Sequence, residues 1–409
     1  MMRTLLKNAM VYTANGFEKK NIIISKGEVF VSDISSFDNS IDYSGKYIIP
    51  GFVDVHVHLR EPGFFYKETI KSGTMAAAAG GFTAVCSMPN LKPAPTNLEN
   101  LKVQLDIIEK DAVIKVYPYG AITSDQSGIG DLSKMEEMAP FVVAFTDDGK
   151  GVQEEETMRQ AMIKASKLNK IIVAHCEDES LNETPYMGTT SISEYSQVIR
   201  DINLSKETGC GYHVCHASAK ESIEAVRQGK QEGVNVTCET GPHYVVFNKD
   251  TIKAEGRFKM NPPIKEEEDR IAIIEAIKDG TLDMIATDHA PHSREEKAKG
   301  FVDSMFGVVG LETSFGILNK HLVKSGIISL EKLIDIMAIK PRERFGLEGG
   351  YIKDGQVADL TVLDIDVETI VNPNEFLSMG KSTPFEDMQM AGKIIATYVN
   401  GEIKYENIK

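Results

Sequence analysis

From about residue 50 onward, short apolar runs rich in β-branched residues alternate with stretches of helical period. The runs are "GFVDVHVHL", "GFTAVCSMPN", "VIKVYPYGAI", "FVVAFTDDG", "KIIVAHCED", "GYHVCHAS", "GVNVTCET" and "TLDMIATDHAPH", eight in all. Apolar runs of this length, bounded by turn residues, fit buried strands. Between them, in "TMRQAMIKASKL", Met158, Ala161, Met162, Ala165 and Leu168 form the i, i+3, i+4, i+7 stripe of an amphipathic helix. "TNLE" at Thr96–Glu99 and "SAKE" at Ser218–Glu221 have the form of capping boxes, which predicts helix starts after the second and sixth runs. Eight strand-like runs, each followed by a helical or long loop segment, predict an α/β fold of the (β/α)8 (TIM) barrel type. A doubly wound open sheet is the alternative. No G-x-G-x-x-G follows the first run, so a dinucleotide-binding reading lacks support.

The two ends of the chain have a different texture. Residues 1–49 read as short strands and turns, with "NIIISKGEVFVSDI" as a hairpin turning at Lys26-Gly27. After about residue 345 the helical pattern stops. "GQVADLTVLDID" and "GKIIATYVNGEIKY" alternate as strands, and Asn400-Gly401 is a hairpin turn. The expected organisation is a barrel over 50–345 beside a small β-sandwich domain built from both ends, 1–49 and 346–409.

Composition narrows the function. With 409 residues and 42% apolar content the chain can bury a large core. A net charge of −15, with a pI near 5.2, argues against nucleic acid or an anionic membrane as partner. A small anionic ligand would then need a local cluster of positive charge. No run approaches the ~18 apolar residues of a membrane span. "MMRTLLKNAMVYTANG" is interrupted by Lys7 and Asn8 and lacks a signal-peptide core. Five cysteines without regular spacing suggest reduced thiols and a cytoplasmic location.

In a barrel of this kind, chemistry sits at the C-terminal ends of the strands. Here the first run ends in His56-Val57-His58, the fourth in Thr146-Asp147-Asp148, the fifth in His175, the sixth in His216 and the eighth in Asp288-His289. Side chains two apart on a strand share a face, so His56 and His58 can bind one ion together. Neutral imidazole and carboxylate suit zinc and similar borderline metals. The set exceeds what one tetrahedral ion needs and would suit two ions sharing a carboxylate. Plainer readings compete at several positions. His213 competes with His216, Asp147 with Asp148, and Asp288 could serve as a helix N-cap. Cys176 and Cys215 adjoin the candidate ligands, so strand alternation turns them away as apolar fillers.

"GFVDVHVHLREPG", "GGFTAVCSMPN", "FTDDG", "AHCED", "NPPI", "TDHAPH" and "FGVVGLET" resemble dihydroorotases of the bacterial class I type, within the amidohydrolase superfamily. The resemblance runs from about residue 48 to the C-terminal end. It implies the barrel with a split β-sandwich, and the reversible interconversion of N-carbamoyl-L-aspartate and L-dihydroorotate in pyrimidine biosynthesis. It implies zinc, as one or two ions per chain. His56 and His58 match ligands of the more buried ion, and His175 and His216 those of the second. Asp148 matches the bridging position, where many amidohydrolases carry a carboxylated lysine; Lys150 is a weaker competitor for that place. Asp288 matches the residue that is both ligand and general acid/base. Arg60, Asn90 and His292 match the residues that hold the substrate carboxylate, and Asn261 a contact to the pyrimidine ring. A homodimer and an association with aspartate transcarbamoylase belong to the family-level picture; the sequence itself specifies neither.

The chemistry is consistent with these roles. A cyclic amide resists water at neutral pH, whereas metal ions lower the pKa of bound water to roughly 7 and polarise the carbonyl. A carboxylate must move the proton to the departing nitrogen, which suits Asp288. A substrate carboxylate needs a bidentate cation on so acidic a chain, and Arg60 lies two residues beyond the metal pair, on the same face. The plainer readings are a salt bridge of Arg60 with Glu61, a turn residue at Asn90 and a solvated loop histidine at His292. Two departures from the family pattern stand out. "GPHYV" puts Tyr244 where a second histidine is usual, and "SMFG", Ser304 to Gly307, replaces "APFG" in the loop after the eighth strand. The competing functions are a related cyclic amidase (dihydropyrimidinase, hydantoinase or allantoinase), and a non-catalytic partner of aspartate transcarbamoylase.

Overall fold

A computed structural model of the chain describes residues 3–31, 36–182 and 188–407. Eight parallel segments close into a barrel. Phe52–Val57, Phe82–Ser87 and Lys115–Pro118 form one hydrogen-bonded group, and Ile172–Ala174, Tyr212–Val214, Val236–Thr240 and Met284–Ile285 form another. The fourth run is not a regular strand. Around Phe145 it stays extended and bridges the third and fifth strands through Gly120 and Ile172. The ring closes where His289, just past the eighth strand, bridges Val57, with His58 N–H donating to the His289 carbonyl at 2.8 Å. The barrel fold is therefore present, and no open sheet edge remains between the first and eighth strands.

Side chains fill the barrel in two layers. Val53, Val55, Ala84, Met88, Tyr119, Ala144, Val173 and Met284 pack inside the ring. A larger core lies between the strands and the outer helices. In the helix Glu155–Lys167 the buried positions are Met158, Ala161, Met162 and Ala165, the stripe read from the sequence. The N-terminal caps differ from expectation. Helix Leu98–Asp111 is capped by Asn97, one residue past Thr96. Helix Lys220–Gln231 has no side-chain cap of its own; the buried carboxylate of Glu194, from the preceding helix Ser191–Thr208, accepts from the N–H groups of Ser218 and Ala219. The first N–H of the helix itself, that of Lys220, goes to Asp269 Oδ1 at 2.8 Å, so distant carboxylates do the work expected of a local serine.

The floor of the barrel is tied by Arg342. Its guanidinium donates to the carbonyls of Gly51, Ala338 and Glu348 and to Thr83 Oγ1, at 2.7–3.1 Å. Gly51 must lack a side chain here, because a Cβ would lie 2.1 Å from Thr83 Cγ2.

Both chain ends join one nine-stranded sheet. Tyr47–Pro50 runs parallel to Arg3–Thr13 and antiparallel to Leu360–Ile370, so it stitches the N-terminal strands to the C-terminal ones. The N-terminal strands Arg3–Thr13 and Gly16–Ser25 are longer than expected. The sheet encloses its own core, including Leu6, Val11, Ile22, Val29, Ile48, Leu360, Val362 and Tyr398. Lys26-Gly27 and Asn400-Gly401 form the expected hairpin turns, all four with positive φ. Residues 32–34 of the first hairpin, and the extreme ends 1–2 and 408–409, lie outside the described residues. No helix among the described residues is long and apolar enough to cross a membrane.

Candidate active site

Each candidate ligand leaves the C-terminal rim of the barrel, and the folded chain brings six of them together. Nε2 of His56 lies 3.3 Å from Asp148 Oδ1 and 3.4 Å from Asp288 Oδ1. Nε2 of His58 lies 3.1 Å from Asp288 Oδ1 and 3.5 Å from Asp148 Oδ2. On the other side of Asp148, its Oδ1 is 3.6 Å from His216 Nε2 and 3.9 Å from His175 Nδ1, and those two nitrogens are 2.9 Å apart. Asp148 thus sits centrally, with one histidine pair on each side. All six residues are buried.

This donor set fits metal ions. His56 Nε2 and Asp148 Oδ1 are buried and have no hydrogen-bond partner among the described residues. An unpaired imidazole nitrogen facing an unpaired carboxylate oxygen is costly unless a cation lies between them. The ligand atoms of His56, His58 and Asp288, and those of His56, Asp148 and His216, fall within 4.8 Å of one another. Burial alone would raise the Asp148 carboxyl, but His56 and His216 hold it well below its usual range. Asp288 is likewise lowered against burial, by His56 and His58. Both carboxylates are ionised and ready to ligate.

The structure also separates the competitors. Asp147 turns away and accepts from the N–H groups of Ile122, Thr123 and Gly128, so it shapes a loop. Lys150 is half-exposed and pairs with Glu179 at 3.2 Å. His213 lies behind the ligands against Thr237 and Glu239. Cys215 is less remote than strand alternation implied, since its sulfur falls in one cluster with His56 and Glu239. It is a thiol whose pKa burial drives upward, which makes it a poor ligand.

A cavity of about 400 Å³ opens over the cluster, lined by His58, Asp148, His175, His216 and Asp288, and by Arg60, Asn90, Asn261 and His292. Arg60 does not pair with Glu61, whose carboxylate caps the N–H of Ile70 instead. Its Nε donates to the Pro291 carbonyl at 3.2 Å, and burial brings it down to about 10, so it remains a cation at neutral pH. Asn90 Nδ2 donates to the Asp148 carbonyl at 2.6 Å, which leaves its second N–H for a ligand. Asn261 is committed on both sides. Its Oδ1 accepts from Thr189 N–H at 2.7 Å and its Nδ2 donates to Glu177 at 3.0 Å.

The backbone at this rim is unusual. Arg60, His216 and Asp288 all have positive φ, at 60°, 30° and 48°. Such conformations cost non-glycine residues about 1–3 kcal/mol each and gather where function requires a particular side-chain direction.

Sequence reasoning missed several groups. Glu239, on the seventh strand, accepts from His56 Nδ1 at 2.6 Å and faces His213 Nε2 at 3.2 Å. Glu177 accepts from His175 Nε2 at 2.8 Å. Each fixes the tautomer that leaves the inward nitrogen free. "HCED" and "TCET" place a carboxylate at a strand end, which is the one signal that could have found them. Lys67, Gln126 and Phe64 also line the cavity.

Comparison with known proteins agrees with this geometry. The family model described as Dihydro-orotase-like matches residues 45–222. A dihydroorotase of Fusobacterium nucleatum subsp. nucleatum is 47% identical, covering 98% of each chain. A dihydroorotase of Bacillus thuringiensis is 44% identical, covering 99% of each. Among solved structures, an L-hydantoinase (dihydropyrimidinase) from Arthrobacter aurescens superposes with a TM-score of 0.90 at 26% identity, over 99% of this chain and 96% of that one.

Proposed function

The chain belongs to the dihydroorotase family, and from that membership we propose that it interconverts N-carbamoyl-L-aspartate and L-dihydroorotate. It is a cyclic amidohydrolase. The observation that carries the finer reading is Arg60, a partly buried cation on the wall of a cavity whose floor is His58, His175, His216 and two aspartates. The floor suits hydrolysis of an amide, and the cation suits an amide that bears a carboxylate.

Zinc is the metal the donor set favours. His56, His58 and Asp288 would hold one ion, His175 and His216 a second, and Asp148 would lie between. Bound there, such ions lower the pKa of water and polarise the amide carbonyl. The protein's own groups do the rest. Asp288 accepts a proton from the attacking water and returns it to the ring nitrogen as the carbon–nitrogen bond breaks. In the direction of synthesis Asp288 takes one ureido proton as that nitrogen attacks the side-chain carboxyl carbon, and returns it to the departing carboxyl oxygen, which leaves as hydroxide. Arg60, the free N–H of Asn90 and the imidazole of His292 hold the carboxylate that does not react. Asn261, held by Thr189 and Glu177, shapes the wall beside the ring. We also propose that 50–345 forms the catalytic unit and that the ends, 1–49 and 346–409, form the accessory β domain.

The likeness to a hydantoinase favours a second reading, a cyclic amidase without carboxylate specificity. The test is turnover by zinc-loaded protein of dihydroorotate against dihydrouracil, hydantoin and allantoin, with metal analysis. Dihydroorotate should be preferred, and Asp148→Ala should lose both turnover and bound metal. Preference for a substrate lacking the carboxylate would overturn the proposal, as would an inactive protein indistinguishable from its His58→Ala variant.

A further inference from the structure

Lys67 lines the cavity, yet none of the roles above uses it. After the first strand the chain folds back on itself, with Phe64 N–H donating to Arg60 and Lys67 N–H to Phe64. This returns the Lys67 ammonium to the cavity wall, where the residue is only 8% exposed. Nζ lies 3.0 Å from Glu296 Oε1 and 3.2 Å from His292 Nδ1. Glu296 is itself anchored by the Ser293 N–H at 3.0 Å and by the Tyr66 hydroxyl at 3.2 Å. The lysine is held in place before any ligand arrives.

The tautomer of His292 follows from these partners. An ammonium only donates, so Nδ1 of His292 presents its lone pair to Lys67. On the other side of the ring, Nε2 lies 2.7 Å from the carbonyl of Phe306, which only accepts, so Nε2 carries the proton. Burial, together with the charges of Arg60 and Lys67, brings His292 down to about 3, so the ring is neutral and has this single proton. Arg60 Nη2 is 3.3 Å from the same Nε2. Two N–H donors at that separation cannot bond each other. One carboxylate placed over them can satisfy both by taking the place of the Phe306 carbonyl at Nε2, and once that carbonyl is displaced Lys67 at Nδ1 is the contact that keeps the proton on Nε2.

We propose that Lys67 is a positioning residue for the substrate's free carboxylate: by donating to Nδ1 of His292 it holds the ring with Nε2–H turned toward Arg60, so that guanidinium and imidazole present a matched pair of donors. Without Lys67, Nδ1 can take the proton and donate to Glu296 Oε2, which is 3.3 Å away. Nε2 would then offer a lone pair to an incoming anion and repel it. The inference rests on the reading that the carboxylate binds at Arg60.

The experiment is steady-state kinetics with dihydroorotate on wild type, Lys67→Met, Lys67→Arg, His292→Ala and the double variant Lys67→Met/His292→Ala. Lys67→Met should raise KM at least tenfold with kcat within threefold, and Lys67→Arg should restore KM to within threefold of wild type. The double variant should be no worse than His292→Ala alone, because the lysine acts through the histidine. If Lys67→Met fails to fold, Lys67→Gln takes its place; its amide is too short to reach Nδ1, and KM should rise in the same way. A KM within twofold of wild type overturns the inference. So does a KM effect that adds in full to that of His292→Ala, or a loss confined to kcat and melting temperature. Wild type without turnover of dihydroorotate refutes the proposed function itself, and the inference with it.

Discussion

Glu239 should control metal affinity although it touches no metal position. It is fully buried on the seventh strand, accepts from His56 Nδ1 at 2.6 Å and from the backbone N–H of His216 at 3.3 Å, and faces His213 at 3.2 Å. The proton it fixes on Nδ1 keeps Nε2 of His56 as a lone pair aimed at Asp148 and Asp288. Glu239→Gln conserves shape but replaces two anionic oxygens by one neutral oxygen and one amide. Only one histidine can then be served as before. A hydrogen bond to a charged group contributes about 1.5–3 kcal/mol and a neutral one about 0.5–1.5 kcal/mol, so the substitution loses about 1–2 kcal/mol of orientation. That corresponds to roughly a 5–30-fold weaker Kd, within the 10–100-fold range usual for groups that orient a ligand. Competition for zinc with a chromogenic chelator at neutral pH measures it directly. Activity should fall at limiting zinc and recover substantially with excess. A Kd within twofold of wild type, with activity unchanged at limiting zinc, would refute the argument that Glu239 sets the His56 tautomer.

Two further predictions concern stability. Glu312 lies beside the segment 377–378, accepting from the N–H groups of Leu377 and Ser378, and burial pushes its carboxyl up to about 7. Because this value exceeds that of the unfolded chain, the folded state holds the extra proton. Its contribution is full below about pH 4.5 and is lost as pH rises through 7. After discounting for partial exposure, urea denaturation should show about 1–3 kcal/mol of stability lost over that window in wild type but not in Glu312→Gln; equal pH slopes would refute it. Arg342→Met should lower stability by about 2–5 kcal/mol, because the buried carbonyls of Gly51 and Ala338 lose their donors; an unchanged denaturation midpoint would contradict this.

Much of this molecule is legible in its sequence because the barrel repeats one simple unit. Apolar runs mark the strands, and polar residues at their ends mark the rim, so His56, His58, His175, His216 and Asp288 can be grouped before any coordinates. What stays hidden depends on partners far apart in sequence. The choice of Asp148 over Asp147 is made by the N–H groups of Ile122, Thr123 and Gly128, which draw Asp147 aside. The fourth run looks like a strand because it is apolar, yet it bridges its neighbours only around Phe145. Ser218 looks like a helix cap, yet Asp269 holds the first helical N–H and Glu194, 24 residues away, holds the N–H groups just before it. Lys67 gives no local signal at all, and Glu239 only its place at a strand end, since their significance lies in which imidazole nitrogen each one meets.

The strand Tyr47–Pro50 has a consequence for how the chain is made. One of its edges pairs with Arg3–Thr13, already synthesised, but the other waits for Leu360–Ile370. Some 320 residues separate Pro50 from Ile370. At roughly 5–20 residues per second, a ribosome needs about 15–60 s to supply the missing partner. Throughout that interval an apolar strand edge is open while the whole barrel emerges beside it. The period of greatest risk for this protein is therefore its own translation, and slowing the ribosome between these two strands should increase aggregation more than slowing it anywhere after Ile370.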